Sequence, residues 1–234
     1  MKGIDVIKVI NLEHRSDRWD SFVQRAEEAG FTRFNRFPAC DGQKLTYDAE
    51  IARIISPAND FSWRRGYIGC GLSHYRVWQA ALEVQNCWTL VLEDDVFFSR
   101  KDVTKYWDNR IYRNFASLPD ADLVYLGGHI DKEIDESSFY LGRKINNCFF
   151  KPPKVNVHLS TCSYAINLSG VRKLLYLTEM VQMHRAIDYF LIDHWPSLNI
   201  FFLRPFLFRA WRNYESDIQY DHEPIFQIPF AWKY

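Results

Sequence analysis

The stretch that decides the fold is WTLVLEDDVFF, residues 88–98, in which an apolar run ends at three consecutive carboxylates and then resumes. Apolar residues without polar alternation are typical of a strand that is covered on both faces, as in a parallel sheet. In open α/β sheets, ligands bind beyond the carboxyl ends of such strands. We therefore predict that Glu93, Asp94 and Asp95 lie at a strand end where a ligand binds.

The chemistry of these three acids favours a divalent metal. Carboxylate oxygens are hard ligands that suit Mg²⁺ or Mn²⁺, and such a metal commonly binds phosphates as well. Adjacent like charges are costly unless a cation or hydrogen-bond donors neutralise them. Glu93 and Asp95 form an acid-x-acid pair, in which one carboxylate suits the metal and the other a ribose hydroxyl or a metal-bound water. The alternative interpretation is a solvated acidic turn that binds nothing.

The beginning of the chain has the pattern of a nucleotide-binding α/β fold. Residues 4–10 predict a first strand, and residues 16–30 predict an amphipathic helix that ends at a glycine. Arg15 and Arg18 would lie near the carboxyl end of this strand, where a diphosphate can bind. The alternative is that both arginines are only solvated side chains of a first helical turn.

Two further segments carry weaker signals. Residues 33–37 predict a second strand, and Asp41 in the following Asp-Gly turn can accept a hydrogen bond from a base or a ribose hydroxyl. The glycines of residues 66–71 are predicted to precede a helix, where free backbone amides can approach an anion. They match neither the Walker pattern nor the dinucleotide fingerprint. His74 in the first turn of that helix is either a site residue or a packed, hydrogen-bonded one.

The organisation of the chain indicates one α/β domain. Its 234 residues contain no linker, repeat or low-complexity segment, so a single compact unit is the economical interpretation. Further strands are predicted at residues 122–127, 161–167, 198–203 and 206–210. We expect a mostly parallel central sheet flanked by helices.

Composition excludes several classes of partner. Lys plus Arg and Asp plus Glu are equal at 29 each, so no net field attracts nucleic acid or an anionic membrane. Five cysteines without a CxxC pair argue against a disulfide framework or a zinc site. Residues 1–10 resemble neither a signal peptide nor a membrane span, and no later run reaches the roughly 20 apolar residues that a span requires. We therefore expect a cytoplasmic location.

The succession of motifs resembles glycosyltransferase family 25, which includes bacterial lipooligosaccharide galactosyltransferases and collagen hydroxylysine galactosyltransferases. The motifs are, in chain order, Val9-Ile10-Asn11-Leu12 with Arg15 and Arg18, Ala39-Cys40-Asp41-Gly42, Gly66 through Gly69-Cys70 to Ser73-His74, Leu92-Glu93-Asp94-Asp95, Tyr164-Ala165-Ile166, Ile187-Asp188-Tyr189 and Ser216-Asp217-Ile218. The resemblance spans nearly the whole chain. It implies one Rossmann-like GT-A domain over residues 1–234, in which residues 1–100 mainly bind the nucleotide sugar and residues 101–234 mainly the acceptor.

The resemblance also implies an activity and a set of site residues. It implies inverting transfer of a hexose, galactose or glucose, from a UDP-sugar to a hydroxyl of a glycan or a hydroxylysine, with Mn²⁺ or Mg²⁺ bound. The residues that it implies around the nucleotide sugar are Asn11, Arg15, Arg18, Asp41, Gly69, Ser73, His74, Glu93 and Asp94. The expected metal ligands are Asp95, Glu93 and His222.

Inversion requires a general base on the face of the sugar opposite the leaving group. Asp188 is the preferred candidate, because a packed helix can hold it rigidly. Asp217, in the polar segment before the carboxyl terminus, is the alternative base.

Two other functional classes remain open. One is a catalytically silent module that binds a sugar or a nucleotide sugar. The other is a metal-dependent phosphotransferase or hydrolase, which fits less well because an aspartyl-phosphate enzyme needs Asp at the position of Glu93.

Overall fold

The computed structural model describes residues 1–83, 88–128, 143–152 and 160–210. The strands in these ranges are β1 (Val6–Asn11), β2 (Asn35–Pro38), β3 (Trp88–Glu93), β4 (Val96–Phe98), β5 (Leu123–Tyr125), β6 (Phe149–Phe150), β7 (Ser163–Asn167), β8 (Ile200–Leu203) and β9 (Phe208–Ala210). A central seven-stranded sheet has the order β2-β1-β3-β7-β5-β8-β6. The remaining two, β4 and β9, form a separate antiparallel ribbon.

The central sheet is mostly parallel, as predicted. Strand β1 pairs in parallel with β2 and β3, and β5 pairs in parallel with β8. Because β7 runs antiparallel to both β3 and β5, those two strands share a direction. Only β7 and β6 oppose the common direction among the strands that the structure describes in this sheet. The carboxyl ends of β1, β3, β5 and β8 therefore lie at one edge.

Helices cover both faces of this sheet. They are α1 (Ser16–Glu28), α2 (Ala49–Ile54), α3 (Arg65–Glu83), α4 (Val103–Tyr106), α5 (Tyr112–Ala116), α6 (Leu168–Val181) and α7 (Ile187–Asp193). A π-helical turn (Trp107–Ile111) joins α4 to α5. The predicted α1 is confirmed, and it ends just before Gly30, as expected. Gly30 has a φ of +63°, a left-handed conformation that glycine adopts at little cost after the end of a helix.

The two hydrophobic cores explain why the apolar run of β3 does not alternate with polar residues. Leu90 and Leu92 pack in the core that contains Phe22 of α1, whereas Val91 packs in the opposite core with Trp78 of α3. These side chains are fully buried. Successive residues of a strand point to opposite faces, so a strand between two helical layers is apolar at nearly every position, with Thr89 the buried polar exception in β3.

The start of α3 corrects two predictions, because it also places His74 in the third turn of the helix and not in the first. The glycines of residues 66–71 were expected to precede the helix, but α3 begins at Arg65, and the amide of Ile68 already donates to the carbonyl of Arg64 at 3.2 Å. Their amides are therefore not those of an open anion-binding loop. A Cβ at Gly69 would lie 2.6 Å from the carbonyl oxygen of Cys40 and 2.8 Å from the amide nitrogen of Gly42. Glycine at this position lets α3 contact the neighbouring backbone directly.

No helix within the described ranges combines the length and the apolarity needed to cross a bilayer.

Candidate functional site

The three acids follow the carboxyl end of β3, as the sequence predicts. Strand β3 ends at Glu93, which pairs in register with Ile10 of β1. The amide of Asp94 donates to the carbonyl of Ile10 at 3.1 Å, so the acidic turn is bound directly to the end of the neighbouring strand. The acids and the polar loop after β1 therefore share the edge of the sheet at which α/β proteins bind ligands.

Asp94 is directed into the protein. Its carboxylate is 5% exposed and accepts hydrogen bonds from Asn11 Nδ2, at 2.5 Å, and from Arg18 Nη2. Burial raises the carboxyl pKa of Asp94, while the charge of Arg18 and the hydrogen bond from Asn11 act in the opposite direction. The guanidinium of Arg25 donates to the carbonyl oxygen of Asp94 at 2.8 Å. Asp94 thus binds the acidic turn to α1 and β1.

Asn11 has a similar internal role. Its Nδ2 also donates to the carbonyl of Arg15 at 3.1 Å, and its Oδ1 accepts from Arg36 Nε at 2.8 Å. Because both ends of the amide have protein partners, we interpret Asn11 as a residue that positions Asp94.

Glu93 is held as a carboxylate. Thr161 Oγ1 donates to Glu93 Oε1 at 2.7 Å, and His74 Nε2 lies 3.4 Å from the same oxygen. Burial by itself raises the pKa of Glu93, but hydrogen bonds from His74 and Thr161 and the charge of Arg18 outweigh it, so the pKa lies below its ordinary value. The His74 side chain is 1% exposed, which makes it a buried partner of Glu93.

Asp95 has the electrostatic character of a cation site. Its Oδ1 is buried and has no hydrogen-bond partner among the described residues, and its Oδ2 lies 3.8 Å from Arg18 Nη2. Burial and the negative charge of Glu93 raise the pKa of Asp95 to about 7, although the charge of Arg18 opposes the shift. A partly buried carboxylate in this state is stabilised by an added cation.

Protein ligands alone do not complete a metal site in the described ranges. No group of three His, Cys, Asp or Glu side chains there is arranged to hold a metal ion. The expected ligand His222 and the alternative base Asp217 lie outside the described residues.

The other residues expected around the nucleotide lie near the same edge. Arg15 makes two hydrogen bonds to Asp17, at 3.0 and 2.9 Å, and holds the pKa of that carboxyl at about 2. Asp41 caps a 3₁₀ turn (Gly42–Lys44) by accepting from the amide of Gln43 at 3.0 Å. Its Oδ2 lies 3.4 Å from His14 Nδ1.

Gly69 and Ser73 connect α3 to the segment that carries Asp41. Ser73 Oγ donates to the carbonyl of Gly69 at 2.6 Å and accepts from the amide of Cys40 at 2.8 Å. The hydroxyl is therefore used within the protein. We interpret Gly69 and Ser73 as residues that position Asp41, because both contact the backbone of the residues on either side of it, Cys40 and Gly42.

Asp188 lies in the first turn of α7, where its Oδ1 accepts from the amide of Tyr189 at 2.9 Å. Burial raises the pKa of the Cys70 thiol in α3, and the charges of Glu93, Asp188 and Asp95 raise it further. Cys70 is thus within electrostatic reach of all three carboxylates. Folding brings Asp188 towards the acidic turn from about 90 residues further along the chain.

Sequence reasoning missed the supporting residues of this site. Thr161 gave no signal, because an isolated threonine has no characteristic spacing. Tyr164 lies in the Tyr164-Ala165-Ile166 motif, so the sequence indicated this position. It did not indicate that the Tyr164 hydroxyl lies 2.9 Å from His74 Nδ1.

Comparisons with known proteins find similar chains among solved structures and among glycosyltransferases of several organisms. A solved glycosyltransferase involved in glycosylating the major capsid of PBCV-1 matches 90% of this chain and 95% of its own, with a TM-score of 0.43 and 12% identity. Glycosyltransferase 25 family member of Anopheles gambiae is 32% identical over 207 residues, which cover 82% of this chain and 32% of that protein. Procollagen galactosyltransferase 2 of Homo sapiens is 35% identical over 183 residues, or 74% of this chain and 28% of that protein.

The chain thus spans about a third or less of the length of these two relatives. The family model described as Glycosyltransferase family 25 (LPS biosynthesis protein) matches residues 5–191, which include the acidic turn and Asp188. This match covers most of the sequence, and the chain belongs to glycosyltransferase family 25.

Proposed function

We propose that this chain binds a UDP-sugar and a divalent metal at the carboxyl edge of its sheet and transfers a hexose, with inversion, to an acceptor hydroxyl. The observation that carries the proposal is the state of Asp95. Its Oδ1 is buried and has no hydrogen-bond partner among the described residues, and its pKa is raised to about 7. Glu93, the other acid of the pair, is held ionised by its neighbours. Together they offer negative charge that a cation would balance.

The residues present fit Mn²⁺ or Mg²⁺ held jointly with a ligand. Mg²⁺ in nucleotide sites is usually bound by one or two carboxylates plus substrate phosphates, so Asp95 and Glu93 suffice without a third protein ligand. His222 is proposed as a further ligand. When bound, the metal supplies Lewis acidity that stabilises the negative charge of the leaving diphosphate.

The nucleotide portion is proposed to bind beside the acids. The guanidinium of Arg18 contacts Asp94 and lies 3.8 Å from Asp95, so it provides a positive charge at the edge where a diphosphate would bind. Arg15 is proposed to add a second positive charge. Asp41 is proposed to accept a hydrogen bond from a ribose hydroxyl or the base, since a carboxylate has acceptor capacity beyond its bond to Gln43.

Asp188 is proposed as the general base. A base positioned on the reacting hydroxyl contributes about 10²–10⁴ in rate. The influence of Asp188, Glu93 and Asp95 on the same thiol, that of Cys70, supports a location on the side of the fold that carries the acidic turn. The first turn of α7 provides the rigid support that proton transfer requires.

The relatives guide the choice of substrates. Similarity to a procollagen galactosyltransferase supports UDP-galactose as the sugar donor and hydroxylysine as an acceptor. The family description, which refers to LPS biosynthesis, supports a glycan hydroxyl as the other acceptor class. UDP-glucose is the second donor that we propose to test.

The test is release of UDP from UDP-galactose by the parent protein and by Asp95→Asn, with MnCl₂ and with EDTA. We expect Mn²⁺ to stimulate release by the parent. We expect the variant to retain its fold and lose the stimulation, because a carboxylate at a loop edge is replaced by a neutral group of equal size. Turnover of Asp95→Asn in Mn²⁺ close to that of the parent would refute the metal assignment.

A catalytically silent nucleotide-sugar-binding module is the second candidate. Such a module would bind UDP-galactose but release no UDP with Mn²⁺. The same assay, paired with a donor-binding measurement, therefore separates the two functions.

A further inference from the structure

A set of buried polar side chains lies behind Glu93, and substrate binding does not explain it. Trp78 Nε1 donates to Tyr164 Oη at 2.9 Å, and Tyr164 Oη lies 2.9 Å from His74 Nδ1. These three side chains are at most 1% exposed. The other ring nitrogen of His74 lies 3.4 Å from Glu93 Oε1. We call Trp78, Tyr164 and His74 the buried network.

The hydrogen bonds of the buried network have only one consistent direction for a neutral imidazole. An indole N–H can only donate, so the oxygen of Tyr164 accepts from Trp78. Among the described residues, His74 Nδ1 is the only partner of this hydroxyl that can accept its proton, so the arrangement that satisfies every buried donor has Tyr164 donating to Nδ1. The imidazole proton therefore lies on Nε2, the nitrogen that faces Glu93.

We propose that Tyr164 is a positioning residue for the acidic pair, and that it acts by fixing the Nε2–H tautomer of His74. With its proton on Nε2, the ring presents a hydrogen-bond donor to Glu93. The opposite tautomer would present a lone pair to a carboxylate and repel it. The inference rests on the proposed function, in which Glu93 helps to bind the metal and the nucleotide.

The expected effect is a loss of affinity for the nucleotide in the presence of the metal. Partners that orient metal-binding side chains typically change metal affinity by about 10–100-fold when they are removed. Tyr164→Phe removes the hydroxyl and leaves the ring, so only the contact with Glu93 then opposes the Nδ1–H tautomer of His74. We expect the affinity for UDP in the presence of MnCl₂ to fall by about tenfold or more.

A matched control is available on the neighbouring strand. Tyr125 of β5 pairs in register with Tyr164 of β7, and both side chains are completely buried. The hydroxyl of Tyr125 accepts from Trp195 Nε1 at 3.5 Å and makes no hydrogen bond to the buried network. Tyr125→Phe also removes one buried hydroxyl from the same layer, so a general packing effect would appear in both variants.

The experiment uses the full chain and two measurements. The first is calorimetric titration of UDP in MnCl₂ with the parent, Tyr164→Phe and Tyr125→Phe. The second is nitrogen NMR of histidine-labelled, metal-free protein, with the His74 signals assigned by comparison with His74→Gln. We expect an Nε2–H tautomer in the parent and in Tyr125→Phe, a tautomer mixture in Tyr164→Phe, and weaker UDP binding by Tyr164→Phe alone.

Several results would overturn the inference. Equal UDP affinities of the parent and Tyr164→Phe, or equal losses in the two tyrosine variants, would show that the hydroxyl does not act on the acidic pair. An Nδ1–H tautomer or an imidazolium in the parent would refute the mechanism even if Tyr164→Phe failed to fold. A parent that binds no UDP with Mn²⁺ would instead refute the proposed function, and this inference with it.

Discussion

Replacement of Gly69 by alanine is expected to destabilise the protein, although alanine is the better helix former. In a helix interior, Gly→Ala contributes about 1 kcal/mol of stability. Here the added Cβ would lie 2.6 Å from the carbonyl oxygen of Cys40 and 2.8 Å from the amide nitrogen of Gly42. Both atoms belong to the backbone, which cannot rotate away as the end of a side chain can.

The two effects can be compared in magnitude. Overpacking of a close contact costs about 1–3 kcal/mol, and the two backbone contacts place Gly69→Ala near the upper end of that range. After the gain in helix propensity is subtracted, we expect a net loss of about 2 kcal/mol. For a domain of this size the loss corresponds to a fall in Tm of about 4–8 °C.

A glycine two residues further along α3 provides the control. A Cβ at Gly71 would lie 3.0 Å from Met183 Sδ, the sulfur of a flexible side chain that can move by a few tenths of an ångström. Gly71→Ala should therefore keep most of its helix-propensity gain and change stability by about 0 to +1 kcal/mol.

The assay is urea unfolding followed by tryptophan fluorescence, together with the thermal midpoint, for the parent and both variants. A Gly69→Ala protein as stable as the parent would refute the packing argument. Equal shifts for the two variants would do so as well, because the contacts at Gly69 and Gly71 differ in kind.

Two further predictions concern the carboxylates. Because folding raises the pKa of Asp95 from 3.8 to about 7, its contribution to stability is present below pH 4 and is lost as the pH rises through 7. In EDTA, the free energy of unfolding of Asp95→Asn should therefore rise by about 1–2 kcal/mol relative to that of the parent as the pH increases from 4 to 8. This is less than the roughly 4 kcal/mol that the full pKa shift would give without solvent screening. If the stabilities of the parent and Asp95→Asn, measured by urea unfolding, changed in parallel over this pH range, the prediction would be wrong. Asp17→Asn is the control, since the pKa of Asp17 is about 2 and its contribution to stability is nearly constant between pH 4 and 8. Asp188→Asn should bind UDP-galactose normally by calorimetry but transfer at least about 100-fold more slowly in single turnover. If Asp217→Asn shows that loss instead, Asp217 is the base.

Predictions that depend on neighbours along the chain agree with the structure. The apolar run before Glu93 forms β3, because burial between two helical layers requires apolar side chains at nearly every position. The periodic pattern of residues 16–30 forms α1 for a similar reason, since one face of the helix must contact the sheet. The order of the local motifs was also sufficient to indicate the family. For β3 and α1 the information lies within a few residues of the element.

The sequence by itself thus determined most of the strands, the helix α1, the acidic turn at the edge of the sheet and the family. Only the tertiary structure decided what the polar residues at this edge do. Asp94 is directed inwards to Asn11 and Arg18, whereas Asp95 keeps a buried oxygen without a partner in the described ranges. Gly69 packs within α3 against another backbone segment, and His74 is oriented by a tyrosine 90 residues away. Hydrogen-bond partners and pKa shifts depend on contacts between distant segments, and periodicity along a chain carries no information about such contacts.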